Sequence, residues 1–471
     1  MTISDKITER LKAGNATVLG FGISNRPLVR HLCEMGVNVT VRDAKCAEEL
    51  GEDYNELTQK GVQFILGKDY LDNITEDVIF RSPGIRPDAG SIPEAVENGS
   101  LLTSEMEWFL DITPAYVIAV TGSDGKTTTT TLIYKLLSEE LCGTDRNVYV
   151  GGNIGKPLLC EASNMKEGDF AVVELSSFQL QNLSSPINRA VITNITPNHL
   201  NWHTGMEEYT QAKLRIFSSE KTELLTVNAN DQRTRTAGFS FTRKKAFFSV
   251  HNVPDECDMC PDARTILLIN GRICVKENEN VVEVLDTADI KLPGIHNVEN
   301  YMAAISATWG LVSFETIKKV ATSFGGVEHR LEFVRELGGV TFYNSSIDSS
   351  PTRTAAALSA LKTKPIVICG GYDKHIPFAP LADALRDRAR AVVLTGATRN
   401  AILDAINQCD GFDKEAIPVY IEADFETAVR KAAEIAVNGD VVLLSPACAS
   451  FDAFPNFEVR GKTYKNIINS L

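Results

Sequence analysis

The stretch Tyr116 to Thr131, Y-V-I-A-V-T-G-S-D-G-K-T-T-T-T-T, leaves little choice of local structure. Tyr116 to Val120 is an apolar run of the length of a buried parallel strand, and Leu132, Ile133, Leu136 and Leu137 recur beyond Thr127 at helical spacing. Thr121 to Lys126 is therefore a strand-to-helix turn. Gly122 and Gly125 let the backbone turn tightly with its N–H groups facing inward, the helix start adds partial positive charge, and Lys126 adds a point charge for the outer phosphates of a nucleotide. Thr127 offers a hydroxyl to Mg²⁺. The loop is a shortened T-G-x-x-G-K-T form, because Val120 stands where the strict phosphate-loop pattern has its first glycine. Two glycines alone would suit a plain helix cap; Lys126 and Thr127 behind a buried strand point to nucleotide phosphate.

A chain of 471 residues is too long for one compact core, and the usual domain size predicts about three domains. The net charge of −14 argues against nucleic acid or an anionic membrane surface as partner, so an anionic substrate needs a local basic pocket. M-T-I-S-D-K-I-T-E-R-L-K mixes both signs of charge and is no signal peptide, and no run approaches the ~18–20 apolar residues of a membrane span. A cytoplasmic protein is expected. The ten cysteines are scattered rather than spaced as a framework, so disulfides are not expected.

Residues 1–107 begin with an apolar strand, Ala16 to Gly20, that runs into G-F-G-I-S-N. A helix from Pro27 to Met35 and a strand from Val37 to Val41 follow, and Asp43 stands 21 residues past Gly22. That is the spacing of a Rossmann βαβ unit, in which a carboxylate at the second strand's end reads a hydroxylated group. Asn25 replaces the third glycine of the dinucleotide fingerprint, which favours another nucleotide or a nucleotide sugar over NAD or FAD and leaves a purely structural βαβ open. A further strand, Val78 to Phe80, empties into R-S-P-G-I, where Ser82 and Gly84 could place backbone donors near the same ligand.

Residues 108–326 carry the phosphate loop. V-G-G-N-I-G presents Asn153 in a glycine-rich turn, and the strand Asp169 to Val173 delivers Glu174, well placed to hold Mg²⁺ or merely to cap the turn that follows. The strand Arg189 to Ile195 opens into T-P-N-H-L-N-W-H. His199 and His203 are four apart, but Pro197, Asn198 and Asn201 mark a loop, so one histidine beside a metal suits the segment better than a zinc pair. Lys213, in the helix Tyr209 to Phe217, reads from composition as a solvated surface lysine. From Thr222 to Leu292 the pattern is irregular and β-like beyond the strand Leu224 to Asn228, with an isolated C-x-x-C at Cys257 and Cys260 that lacks the second pair of a zinc site. Asn297 and Asn300 open an alanine-rich helix, as readers of a base edge or as caps.

Residues 327–471 return to alternating strands and helices: Val340 to Tyr343, helix Thr354 to Leu361, then strands Ile366 to Cys369, Ala391 to Leu394 and Val441 to Leu444. Loops at the C-terminal ends of such strands are where ligands sit. The expected class is α/β throughout, with a Rossmann-like first domain, a central phosphate-loop ATPase-type domain on a parallel sheet, and a Rossmann-like last domain.

The series T-G-S-D-G-K-T, G-G-N-I-G, E-L-S-S-F-Q-L, the histidine after N-I-T-P-N, A-K-L-R-I-F, L-P-G-x-H-N, E-H-R, G-G-Y-D-K and S-P-A-C-A-S-F-D-x-F-x-N-F-x-x-R-G resembles the ATP-dependent Mur ligases of peptidoglycan synthesis, in order along the whole chain. The last motif is most similar to the branch that adds D-glutamate to UDP-N-acetylmuramoyl-L-alanine. The resemblance implies an acyl phosphate made with the ATP γ-phosphate and attacked by the incoming amine. It implies that Gly122, Ser123, Asp124, Gly125, Lys126, Thr127 and Thr128 bind the ATP phosphates, Asn297 and Asn300 hold adenine, and Arg330 clamps the nucleotide. Thr127 and Glu174 would hold one Mg²⁺, and His199 with Lys213, carbamylated by CO₂, a second. Gly22, Ile23, Ser24, Asn25, Asp43, Ser82 and Gly84 match the UDP-sugar site, with Asn153 near the phosphates or the carboxylate under attack. Ser349, Lys374, Ser450 and the backbone of Phe457 match the D-glutamate site. A monomer is expected.

One departure concerns the acceptor. Many members of that branch read N-D-S-K-A-T after the last domain's first strand, whereas this chain reads N-S-S-I-D-S-S, with Ser345 at the aspartate, Ile347 at the lysine and Asp348 added. A different acceptor, L-glutamate or another amino acid, and a non-catalytic ATPase that senses the nucleotide sugar stand as alternatives. A nicotinamide-linked oxidoreductase built on Gly20, Gly22 and Asp43 would leave Lys126, Glu174 and Lys213 without a role. Folylpolyglutamate synthases share the later domains but are expected to lack the first.

Overall fold

Ala16, Val18 and Leu19 in the strand Asn15–Leu19, and Val78, Ile79 and Phe80 in Val78–Arg81, have no exposed surface, as expected of parallel strands covered on both faces. The computed structural model describes residues 3–471, positions 23, 185, 199–201, 252, 259, 261–262, 293 and 375 excepted. It contains three sheets with helices between their strands, the α/β class that the sequence predicts.

The first sheet runs Gln63–Leu66, Asn38–Asp43, Asn15–Leu19, Val78–Arg81, Leu101–Thr103, all parallel. The order reverses beside Asn15–Leu19, so a crevice opens where that strand and Val78–Arg81 end. The second sheet has nine strands, parallel from Val148–Gly152 through Phe170–Glu174, Tyr116–Thr121, Arg189–Ile192, Leu224–Asn228 and Lys244–Ser249 to Ala263–Ile269. Arg272–Glu277 and Asn280–Asp286 extend it antiparallel. The third sheet is parallel except for its edge hairpin of Glu332–Leu337 and Val340–Asn344.

Two compact units result. Met1–Asp289 with Ile295–Val320 carries the first two sheets, and Ile290–Gly294 with Ala321–Leu471 the third. In the larger unit one apolar core runs unbroken from Val18 and Phe80 through Trp108 and Phe109 to Val117 and Val173. Polar ties reinforce it: Arg81 donates to Phe178 O at 3.2 Å, and Arg86 to Trp202 O at 2.5 Å while stacking on that indole.

Two sequence expectations change here. The stretch read as irregular holds the helix Gln232–Ser240, capped by Asp231, and its threonine- and arginine-rich face gives no apolar period to find. Asn297 and Asn300 lie inside the helix Ile295–Thr308 rather than opening it, because that helix starts on Ile295 and His296.

Candidate active site

The strand Tyr116–Thr121 pairs with Phe170–Glu174 on one side and Arg189–Ile192 on the other, so three parallel strands end side by side. At the centre Gly122 turns with φ +150°, where an added Cβ would stand 1.8 Å from Thr193 Oγ1. Gly125 caps the helix Lys126–Glu140 with φ +78°, and a Cβ there would meet Asn300 Oδ1 at 2.4 Å. Only glycine fits either place. The neighbouring strand's exit segment holds the loop: Ser123 N donates to Asn194 O at 2.9 Å, Asp124 N to Asn194 Oδ1 at 2.9 Å, and Ser123 Oγ to Thr196 O at 2.8 Å. Tyr209 OH lies 2.9 Å from the same Ser123 Oγ.

Lys126 is folded onto its own loop, donating to Ser123 O at 2.9 Å and Gly122 O at 3.0 Å. Thr127 and Thr128 sit half-buried in the helix's first turn, where N–H groups have no carbonyl of the helix to bond. Asn300 accepts from Thr129 Oγ1 at 3.2 Å and donates to Asn297 Oδ1 at 3.2 Å, so both asparagines stand behind the phosphate loop in one network.

Glu174 ends its strand only 1% exposed. Asn153 Nδ2 donates to Oε1 at 2.7 Å, while Oε2 is buried with no partner among the described residues. A desolvated carboxylate oxygen without a donor is unfavourable unless a cation meets it, and with the Thr127 hydroxyl it supplies the hard oxygen donors that Mg²⁺ takes.

Lys213 is no surface lysine. It is 2% exposed, its Nζ donates to Gly122 O at 2.7 Å and Thr121 Oγ1 at 3.5 Å, and it stands 4.7 Å from the centre of the Tyr209 ring. Burial, then the charge of Lys126, depresses its pKa well below the usual lysine value, against the opposing pull of Asp124 and Glu174. His199 lies outside the described residues. His203 has both ring nitrogens engaged, Nδ1 at 3.1 Å from Glu208 and Nε2 at 2.9 Å from Ser177 Oγ.

In the first sheet's crevice Asp43 Oδ2 accepts from Phe21 N at 2.6 Å, tying the two strand ends together. Asn25 is buried, its amide donating to Gly20 O at 2.8 Å and Leu19 O at 3.3 Å, so it shapes the turn rather than pointing at a ligand. Gly22 and Gly84 have open space where a side chain would project, and Ser82 N is bound to Leu19 O at 2.9 Å. Ser24 lies just before the helix Asn25–Glu34, and Ile23 is outside the described residues.

The second unit brings together two acceptor-site expectations: Lys374 Nζ donates to Ser349 Oγ at 3.2 Å. Ser450 is buried at the head of a turn closed by Phe454 N to Ser450 O at 2.8 Å. Phe457 opens the helix Phe457–Ser470, whose first N–H groups have no helical acceptor, and its carbonyl accepts from Ser346 Oγ at 2.8 Å. The buried Arg460 laces these loops, donating to Ser346 Oγ and O, Ala449 O and Cys448 O at 2.8–3.1 Å. Asp348 is buried and accepts from Ser445 Oγ at 2.8 Å, and burial raises its pKa. Arg330 is exposed, with its backbone N–H on Val327 O at 3.0 Å. Cys257 is buried and Cys260 partly so, and neither forms a disulfide among the described residues.

Sequence reasoning missed Thr193, Asn194, Tyr209 and Arg460. The first two sit in T-N-I-T, residues 193–196, a segment marked only by the histidine beyond it, and their part follows from strand order, which residue types do not reveal.

Two family models match: the Mur ligase middle domain over residues 120–308 and the Mur ligase glutamate ligase domain over 329–448. The UDP-N-acetylmuramoylalanine–D-glutamate ligase of Clostridium novyi is 46% identical over 96% of each chain, and that of Ruminiclostridium cellulolyticum 45% over 99% of each. In fold the chain is similar to the UDP-N-acetylmuramate–alanine ligase of Thermotoga maritima, with a TM-score of 0.54 at 18% identity over 97% of this chain and 99% of that one. A UDP-N-acetylmuramoyl-L-alanyl-D-glutamate–2,6-diaminopimelate ligase gives a TM-score of 0.54 at 18% identity, over 92% and 93%. With full-length relatives above 40% identity and a phosphate loop, a buried carboxylate and a buried lysine at three adjacent strand ends, the chain belongs to the Mur ligase family.

Proposed function

We propose that the chain joins D-glutamate to the L-alanyl carboxylate of UDP-N-acetylmuramoyl-L-alanine with ATP, releasing ADP and phosphate, as a cytoplasmic step of peptidoglycan precursor synthesis. The observation that carries the reading is the meeting of Lys126, Lys213 and the unpartnered Glu174 Oε2 around one phosphate loop. The names of the relatives support the substrates. The proposed limits of the three domains are 1–107, 108–326 and 327–471.

The carboxylate of the nucleotide sugar attacks the γ-phosphorus, ADP leaves, and an acyl phosphate forms; the acceptor's amine then attacks its carbonyl carbon and phosphate departs. Both reactants are anions, so positioning and charge neutralisation supply most of the catalysis. Lys126 is the mobile cation of the loop: its contacts to Ser123 O and Gly122 O are exchanged for β- and γ-phosphate oxygens. Loop N–H groups and the helix start hold the remaining charge. Asn153, bonded to Glu174, lies where its amide can also steady the carboxylate under attack. Gly22, Ser24, Ser82 and Gly84 line the crevice proposed for the uridine nucleotide, with Asp43 and Asn25 shaping it.

Thr127 and Glu174 would hold one Mg²⁺, and His199 and Lys213 a second. When bound, Mg²⁺ neutralises phosphate charge and polarises the P–O bonds. Among the described residues no group of three or more His, Cys, Asp or Glu side chains converges as a metal site. A buried lysine of depressed pKa is the amine most readily carbamylated by CO₂, and the carbamate would give the second site an anionic ligand.

The test is phosphate release from ATP with Mg²⁺ and UDP-N-acetylmuramoyl-L-alanine, with D-glutamate, L-glutamate or another amino acid as acceptor. Release that requires D-glutamate supports the assignment. Release with a different acceptor keeps the ligase and reassigns its last domain, the second reading, which Ile347 favours. Release with no acceptor dependence supports the sensing ATPase.

A further inference from the structure

We propose that Arg353 supplies the second cation of the acceptor site and gives it its preference for a dicarboxylic amino acid. The inference rests on the proposed ligase reading. A glutamate acceptor brings two carboxylates, and each is best held by a charged donor. Lys374 provides one, bonded to Ser349 Oγ at 3.2 Å. The same short loop carries Ile347, an apolar side chain with no donor. Arg353 lies four residues beyond Ser349, in the first turn of the helix Pro351–Ala360, and its Nη1 donates back to Ile347 O at 3.2 Å. The segment 347–349 is thus bracketed by two cations, Lys374 on Ser349 and Arg353 on Ile347.

The surroundings leave Arg353 available. It is exposed, and no carboxylate among the described residues forms an ion pair with it. Asp348, the nearest acidic residue in sequence, is buried and bound to Ser445 Oγ at 2.8 Å; it feels the charge of Arg353 but forms no ion pair with it. One N–H of the guanidinium anchors the side chain to the loop, and the others remain to form the fork that matches a carboxylate. An exposed arginine is ordinarily a solvated one; its bond to the backbone of the loop that carries Ser349 sets this one apart.

The test is steady-state kinetics of wild type, Arg353→Gln and Arg353→Lys with D-glutamate and, as neutral counterpart, D-glutamine. In Arg353→Gln the KM for D-glutamate is expected to rise on the order of ten- to hundredfold, as for one lost charged hydrogen bond. The kcat and the KM values for ATP and the nucleotide sugar should stay within about threefold, and the preference for D-glutamate over D-glutamine should collapse. Arg353→Lys should restore much of that preference. An unchanged KM for D-glutamate overturns the proposal, as does an equal rise for both acceptors, which would mark a structural role. A wild-type protein that uses a neutral amino acid but not D-glutamate overturns the underlying reading together with it, and shows in the first assay without any variant.

Discussion

Lys126 and Lys213 donate to the same carbonyl oxygen, that of Gly122, at 3.0 and 2.7 Å. Two ammonium groups on one oxygen, one of them desolvated, repel each other, and neutral Lys213 relieves the conflict. Conversion of that amine to the proposed carbamate would go further, turning repulsion of Lys126 into attraction. Lys213→Ala is expected to abolish ligation, and a short carboxylic acid added to the assay should restore part of it by returning an anion to the cavity. Full activity without rescue would exclude a carbamate.

Removal of the other lysine has a different signature. Lys126→Ala should lower kcat by about a hundredfold or more, on the order of 3 kcal/mol, as for other lost donors to transition-state charge. The effect should fall on kcat and kcat/KM for ATP alike, because the ground-state ammonium already has Ser123 O and Gly122 O as partners. Near-normal turnover would remove the phosphate-loop assignment.

Glu174 supplies a third test. Its Oε2 has no partner among the described residues, whereas Oε1 is bound by Asn153. Glu174→Gln retains shape but not charge, so the Mg²⁺ concentration for half-maximal activity should rise about tenfold or more, one charged ligand being worth at least a charged hydrogen bond. Asn153→Ala should leave that concentration nearly unchanged and raise the KM of the nucleotide sugar instead. Magnesium titrations of the two variants distinguish the roles.

The strands and the phosphate loop were legible because their signals are local: buried parallel strands read as apolar runs, and the loop's glycines, lysine and threonine are contiguous. What was not legible depends on strand order. Lys213 looks like any lysine of a polar helix until Tyr116–Thr121 is seen to end beneath it, and Asn194 gains its role only because Arg189–Ile192 is the neighbour of that strand. Asn297 and Asn300 suit a helix start equally well as caps or as readers of a base edge, yet their helix begins earlier and sets Asn300 against Thr129, with Asn297 bonded to Asn300. Arg460 sits in a recognisable motif, but a buried guanidinium on four backbone and hydroxyl acceptors leaves no trace in residue type.

Stability should depend on pH through Glu105. It is buried, its Oε1 accepts from Leu159 N at 2.9 Å, and burial pushes its pKa up from 4.5 to about 7. A carboxyl whose folded pKa is raised binds its proton more tightly in the folded state. Its contribution is therefore complete below pH 4.5 and is lost as the pH rises through about 7. The loss is about 3 kcal/mol at most. Urea unfolding of Glu105→Gln should match wild type near pH 4 and exceed it by about that amount near pH 8; parallel curves at both pH values would mean that the group titrates normally.

Arg460 should be the most sensitive residue of the second unit. Its guanidinium, buried and held at a pKa of about 10 by that burial, joins the Ser346 loop to Cys448 and Ala449, next to Ser450. Arg460→Met keeps most of the volume but leaves the Ser346 and Cys448 carbonyls without this donor, each worth roughly 1–3 kcal/mol, while Ala449 O keeps the Tyr372 N–H. A destabilisation of at least about 3 kcal/mol is expected, read as an earlier melting transition. Because the same loops carry Ser349 and Ser450, the KM for the acceptor should rise in whatever fraction remains folded, while the KM for ATP should not. A variant that melts like wild type would show that water replaces the guanidinium, and that packing rather than these four bonds holds the loops.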